Sequence, residues 1–297
     1  MRTSARLRRY LLLLERVRRP CSFAELRDHL DQYGLALSTR TLHRDIEQIR
    51  DELGAEVVYD RPSNTYQLQG PHEAMARTLQ LLERAVLGTL LGADAGGIGR
   101  ASQHVIMEQH GRLSGLAHWP VLLRAIDERR MVRVDYRRFQ REHDQRFDLR
   151  PHFLKEYQGR WYVLGMAAGY DRPISLGLDR IVGLHPTAQR VPAKEKDMVR
   201  DLYAHVIGVD TSGGEPQSIR LKFTALQGRY VKALPLHPSQ QVIQDDADGC
   251  VVDLFVVPNM ELEQALLALG SSVEVVRPAG LAGKLRRMHA AAGLRKP

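Results

Sequence analysis

The sequence predicts a multidomain α+β protein: a winged helix-turn-helix at the amino end, a small, strongly bent β-barrel in the middle and a ferredoxin-like α+β domain at the carboxyl end. Three observations predict it. At 297 residues the chain is about twice the ~100–200 residues of one domain. Helical periodicity with capping signals dominates residues 4–54 and returns over 72–92 after two short strands, whereas short strand-like runs dominate from residue 131 onward. The composition, 43% hydrophobic and 26% charged, is ordinary for globular chains and excludes a disordered or fibrous one. The expected modules are 1–70 for the winged helix-turn-helix, 71–118 for a helical connector, 119–191 for the barrel and 215–297 for the last domain.

In residues 4–19, Leu7, Leu11, Leu14 and Arg18 recur at helical spacing, and Pro20 stops the run. Ser22 with Glu25 forms the S-x-x-E pattern of a capping box, opening a second helix through Phe23, Leu26 and Leu30 that ends before Gly34. A third helix starts at Ser38 or Thr39, stripes Leu42, Ile46, Ile49 and Leu53 on one face and stops at Gly54. Val57–Tyr59 and Thr65–Leu68 follow as two strands. Such a module places the amino-terminal turns of its third helix in a major groove and its hairpin beside the backbone. The candidate DNA-contacting residues are Ser38, Thr39, Arg40, Thr41, His43 and Arg44, with Arg61 in the hairpin turn. Hydroxyls suit phosphates, and arginines suit phosphates or guanine edges. Asp45 is unwelcome beside a phosphate and is expected to turn toward a basic neighbour inside the domain. The alternative is an amphipathic helix whose polar face is merely solvated.

Residues 72–92 read as a helix with Met75, Leu79, Leu82, Val86 and Leu90 on one side, broken by the glycine-rich stretch 92–99. Gly97 and Gly99 begin a G-x-G but follow a helix and lack the third glycine, so a flexible link is the better account. A helix from Trp119 leads into strand-like Met131–Tyr136, with further strands near Phe147–Leu149, Trp161–Met166 and Ile174–Ile181. Short strands so closely spaced suggest the bent barrel. Its candidate ligand-binding residues are Tyr136, Arg150, His152, Lys155, Trp161, Tyr162 and Arg180, since cations beside aromatic rings can hold a phosphate while stacking a base. Against this, a strand splits neighbouring residues between two faces, which leaves Trp161 and Tyr162 equally readable as core.

Residues 191–217 are mixed, with Ser212–Pro216 as a linker. After it come strand 218–223, a short helix with Leu226, Tyr230 and Val231, a strand near 239–244, an acidic turn, strand 250–257, a helix capped by Asn259, strand Val273–Val276 and a last helix over 281–292. The order β-α-β-β-α-β is the ferredoxin-like split motif. Asp245, Asp246 and Asp248 lack the spaced ligands and terminal glutamate of a calcium loop and read as a polar hairpin turn.

Tyr136, Arg146 with Arg150-Pro151-His152-Phe153-Leu154-Lys155, Gly159-Arg160-Trp161-Tyr162-Val163-Leu164-Gly165 and Leu178-Asp179-Arg180-Ile181 together resemble the WYL domain of bacterial transcriptional regulators. The naming tripeptide reads Trp161-Tyr162-Val163 here. The resemblance implies an Sm/SH3-like barrel that senses a ligand, in some members a nucleic acid, through the basic and aromatic positions just named. Many members carry an arginine where this chain has Gly177, a departure that bears on the ligand and not on the fold. Residues 234–240, Leu-Pro-Leu-His-Pro-Ser-Gln, are similar to the WCX extension that follows such domains. That extension implies dimer contacts and a border on the partner's ligand site.

The net charge is +8 with 43 basic residues, 36 of them Arg, which points to a polyanion although base composition of the genome also yields Arg bias. Residues 119–190 carry +5 of it and residues 1–70 only +2, which makes an anionic effector at the barrel the sharper inference. Cys21 and Cys250 support neither a disulfide framework nor a cysteine zinc site. No metal, cofactor or catalytic constellation is expected: G-x-x-x-x-G-K-[ST], H-E-x-x-H and G-x-S-x-G are all absent. The apolar run Tyr10–Leu14 is too short for a signal core or a membrane span, and a cytoplasmic location follows as an expectation. The expected function is a ligand-responsive, homodimeric transcriptional repressor on an inverted-repeat, double-stranded DNA operator, with a nucleotide or single-stranded nucleic acid as effector; the resemblance, to a family that includes defence-operon repressors, extends the expectation to such an operon. The alternatives are an activator of the same architecture and a general single-stranded nucleic-acid-binding protein.

Overall fold

Serine caps open the second and third helices. Ser22 accepts from the Glu25 amide while the Glu25 carboxylate accepts from Ser22 N, a complete capping box, and Ser38 Oγ accepts from Thr41 N at 3.1 Å. They open α2 (Phe23–Asp31) and α3 (Thr39–Leu53), which follow α1 (Arg2–Arg16). In this computed structural model residues 2–35, 37–70, 72–92, 115–139 and 143–294 are described. Two compact units divide the chain, 1–108 and 109–297, and both α and β structure build it.

In the first unit α1–α3 precede the antiparallel hairpin β1 (Glu56–Asp60) and β2 (Thr65–Gln69). Cys21 exchanges both backbone hydrogen bonds with Tyr66 and so adds a third strand-like rung to the hairpin. One apolar core takes Tyr10, Leu13, Leu14, Leu26, Leu30, Leu42 and Ile49. Helix α4 (His72–Gly92), read from sequence as part of a connector, delivers Leu79, Leu82 and Val86 to that same core. The glycine-rich stretch with Gly97 and Gly99 lies outside the described residues.

The second unit opens with α5 (Trp119–Asp127) and a five-stranded antiparallel sheet ordered β6-β5-β4-β3-β7. Its strands are β3 (Arg130–Tyr136), β4 (Gln145–Tyr157), β5 (Arg160–Ala167), β6 (Ile174–Gly177) and β7 (Ile181–Arg190). Two expectations need correction. The strand placed near Phe147–Leu149 runs for 13 residues, and a register shift between Pro151 and Phe153 accommodates the proline within it. The single strand expected at Ile174–Ile181 is two, separated by a 3-10 turn at Leu178–Arg180. Gly165 is needed where β5 crosses β4: a Cβ there would stand 2.2 Å from the Arg150 carbonyl oxygen.

β5 is buried on both faces. Trp161, Val163 and Ala167 pack with Leu122, Val134, Tyr136 and Phe147, whereas Tyr162, Leu164 and Met166 pack with Val199, Tyr203 and Val206. The latter come from α6 (Lys194–Tyr203) and the turn behind it, a helix within the stretch that the sequence left as mixed. The connection beyond α6 is pinned, not loose: Arg172 donates to Gly214 O and pairs with Glu215, Thr211 donates to Pro173 O, and Asn259 Nδ2 donates to the carbonyls of Ile207 and Asp210.

A four-stranded antiparallel sheet ordered β11-β8-β10-β9 closes the chain. It comprises β8 (Gln217–Phe223), α7 (Ala225–Ala233), β9 (Gln241–Asp246), β10 (Gly249–Val256), α8 (Met260–Ala268), β11 (Val273–Arg277) and α9 (Ala279–Leu294). That is the β-α-β-β-α-β order expected, with the first strand paired to the last and to the third. Its inner face is Ile219, Leu221, Phe223, Cys250, Val252 and Leu254.

Candidate functional site

On the first unit the polar residues of interest occupy the start of α3. Leu42, Asp45 and Ile49 are buried, while Thr39, Arg40, His43 and Arg44 are exposed and Thr41 is half-buried. Ser38 and Thr41 bond to each other through their hydroxyls at 2.9 Å, as part of the cap. Asp45 turns inward as expected: fully buried, it receives Arg9 of α1 through Nε and through a terminal nitrogen at 3.0 Å. Beside it Tyr10 donates to Gln48. With Arg6 of α1 paired to Glu52 at 3.7 Å, three polar contacts therefore seat α3 on α1, and Arg40, His43 and Arg44 are left exposed. Arg61 is exposed in the turn of the hairpin.

In the second unit the seven candidate ligand residues do not converge on one point. Tyr136, on β3, is buried; its hydroxyl accepts from Gly177 N at 3.0 Å, and burial raises its pKa. Arg180 lies 5.0 Å from the Tyr136 ring and 5.0 Å from that of Phe139, which is 80% exposed. This cation between two rings is one cluster. Its neighbours are Asp179, paired with Arg160, and two buried atoms without a hydrogen-bond partner among the described residues, Asp179 Oδ1 and Arg180 Nε. A side chain at Gly177 would come within 2.7 Å of Asp179 Oδ1 and 3.4 Å of Arg180. The absence of a side chain at Gly177 thus leaves room for Asp179 and Arg180 where they sit.

The second cluster lies where β4 meets α6. Arg150 Nε donates to Glu195 Oε2 at 2.9 Å, and His152 Nε2 stands 3.3 Å from the same oxygen. His152 is only 4% exposed, and burial lowers its pKa, against the opposing pull of Glu195. Further along β4, Lys155 donates to Val206 O at 3.3 Å and lies 5.5 Å from the Tyr203 ring. Desolvation brings Lys155 down to about 8, with Glu261 acting the other way. Glu261, at the start of α8, accepts from the amides of Val209 and Asp210 and is itself buried.

Trp161 and Tyr162 fall on opposite faces of β5. Trp161 meets Trp119 edge to face at 5.7 Å, and Tyr162, paired in register with Lys155, packs against α6. Arg160 entered the sequence reading only through the motif around Trp161, and Phe139, Asp179, Glu195 and Glu261 were not among the candidates. Of these only Arg160 and Asp179 lay inside a recognisable motif; the others meet their partners across loops. Among the described residues no group of three His, Cys, Asp or Glu side chains converges as a metal site would. None of the described helices is long and apolar enough to cross a membrane.

This sheet with its 3-10 turn matches the family model of the WYL domain over residues 117–186, and the four-stranded domain matches that of the WCX domain over 215–293. The chain is a WYL-domain protein with a WCX extension. Among solved structures it is similar to proteasome accessory factor B/C (PafBC) of Arthrobacter aurescens, at 17% identity and a TM-score of 0.33 over 97% of this chain and 48% of that one. It is also similar to a CRISPR Cas-related protein, at 11% identity and a TM-score of 0.42 over 98% and 84%. The chain thus spans about half the length of the PafBC chain. No curated protein matches it. Both clusters described above belong to the WYL domain or to its contact with the helix that follows, and Glu261 is the WCX domain's contribution to the joint.

Proposed function

We propose that this WYL–WCX protein is a sequence-specific DNA-binding transcriptional regulator whose WYL domain senses a nucleotide or single-stranded nucleic acid. The observation that carries the reading is the start of α3: Thr39, Arg40, His43 and Arg44 are exposed on a helix whose other face is buried and whose seat is fixed by Arg9 and Asp45. A helix so presented fits the wide major groove of B-form DNA, and the β1–β2 hairpin, with Arg61 at its turn, serves as the wing. An RNA duplex offers no such groove. The protein acts in the cytoplasm, without catalysis, as a homodimeric repressor on an inverted repeat, since two-fold symmetry in the protein matches a palindrome.

The effector lowers operator affinity, and by linkage the operator weakens effector binding by the same factor. A footprint on the intergenic DNA upstream of the gene's own operon tests the reading. Protection of a palindrome, released by added single-stranded oligonucleotide, is the expected result. Arg180→Ala is expected to keep the footprint and blunt the release. RNA competing as well as duplex operator would sink the proposal.

A further inference from the structure

Around the carboxylate of Glu195 stand two side chains that bear or can take a positive charge. Arg150 and His152 contact it directly, and Lys196 lies close enough to His152 to disfavour its protonation. Lys196 is exposed, but the pair and their carboxylate are partly withdrawn from water: the side chains of Arg150, His152 and Glu195 are 24%, 4% and 17% exposed. One carboxylate does not saturate such a set. An arginine fork alone can bind two oxygens, and here it is engaged through Nε only. A phosphate brings more oxygens and more charge to the same donors.

The turn carrying Glu195 lies between two anchors, the buried Val191 before it, which donates from its amide to Arg129 O at 2.9 Å, and the second half of α6 after it. Val199 and Tyr203, in the second half of α6, are in the apolar cluster beneath β5. Its first turn begins at Ala193, which supplies no side-chain cap, and Lys194, Lys196, Asp197 and Met198 are exposed. Besides Glu195, that turn meets the sheet through Lys196 over the Phe153 ring at 5.5 Å. A helix start without a cap frays readily.

We propose that Glu195 is a built-in competitor for an anion subsite formed by Arg150 and His152, and that the first turn of α6 is the latch an anionic ligand group must displace. The proposal rests on the WYL domain being an anion sensor. It gives that sensor a threshold: only a ligand that supplies more than one carboxylate's worth of charge and acceptors opens it, and opening frees the start of the helix that leads into the WCX domain.

The test titrates inorganic pyrophosphate into the full chain at constant ionic strength while NMR follows the ring signals of His152. Glu195→Gln keeps the size and an acceptor oxygen but removes the charge. In that variant pyrophosphate is expected to bind at least about fivefold more tightly than in the wild type, the low end of typical coupling between sites, and to shift the His152 signals. Adding Arg150→Ala should abolish the gain. Should Glu195→Gln fail to fold, Glu195→Asp, which withdraws the carboxylate by one methylene, carries the same expectation with a smaller gain. Equal or weaker binding in the Glu195 variant, no binding in any variant, or a gain that survives loss of Arg150 overturns the latch. Oligonucleotide-driven release of operator by the wild type is scored separately. Release without a pyrophosphate gain would leave the regulator reading standing and the latch fallen; a gain without release would do the reverse.

Discussion

Arg40, His43 and Arg44 on α3 stand in solvent, whereas Arg150, Lys155, Arg160 and Arg180 of the WYL domain are half-buried and already engaged, with Glu195, the Val206 carbonyl, Asp179 and two aromatic rings. An exposed cation gives up only water and counterions when a polyanion arrives, so it serves binding that is fast, long-ranged and sensitive to salt. An engaged cation must exchange a partner, and only a ligand offering more than that partner wins. The same residue type therefore supports two kinds of anion recognition in one chain, and the difference lies in what the interior does with the neighbouring carboxylates. Around α3 the interior claims Asp45 through Arg9 and leaves the exposed Arg44 only a 4.0 Å approach to it; around β4 the following helix brings Glu195 in.

The strongest way to break this contrast is to remove the interior carboxylate. Asp45→Ala leaves Arg9 unpaired at a position its partner fills completely, and losing one member of a buried pair costs about 3–5 kcal/mol. Urea unfolding of the first unit's signal should show a loss of that size. A loss below about 1 kcal/mol would mean that the pair does not seat α3.

Lys155 tests the other side. Its pKa in the folded chain is about 8, against an ordinary value of 10.5. Between those values the unfolded chain binds the extra proton, so stability rises with pH through that window and the penalty of burying the charge is full below it. The shift corresponds to about 3 kcal/mol. Wild-type protein should gain roughly that much relative to Lys155→Met between pH 8 and 10.5, as measured by chemical denaturation at each pH. Parallel curves for the two proteins would show Lys155 to be solvated.

On α3, Arg44→Ala should weaken operator binding by about 1–3 kcal/mol if the side chain reads a base edge, and reduce the salt slope by about 1 if it meets a phosphate. Fluorescence anisotropy at several salt concentrations separates the two. An unchanged affinity and slope would remove Arg44 from the interface.

Local signals were legible in the sequence wherever cause and effect sit within a few residues. The Ser22–Glu25 box, the Ser38 and Asn259 caps and the strand order of the WCX domain followed from short spacings, and the inward turn of Asp45 followed from its charge. What escaped lacked a local cause. α6 has no capping residue, and its apolar side is confined to Met198, Val199, Leu202 and Tyr203. The length of β4 was hidden by Pro151, which a bulge absorbs. Glu195 meets Arg150 across 45 residues of sequence, and no spacing rule connects them. The split of Trp161 and Tyr162 between two cores was left open by strand alternation, because both faces of β5 turned out to be covered.

The smallest effect concerns the charge that drew attention to the middle of the chain. The +5 of residues 119–190 is not a continuous basic surface. Arg133 lies directly opposite Asp148 in the β3–β4 ladder and Arg146 opposite Asp135, and each pair is joined by a hydrogen bond from Nε at 3.1 and 2.8 Å. Cross-strand pairs of this exposed kind are worth roughly 0.2–1 kcal/mol. Arg133→Gln should therefore lower stability by less than about 1 kcal/mol, less still in high salt, and leave both pyrophosphate and operator affinity unchanged. A clear loss of anion binding in that variant would mean that the sheet's outer arginines, and not Arg150 with His152, form the anion site, and the contrast between free and engaged cations would have to be redrawn around the ladder.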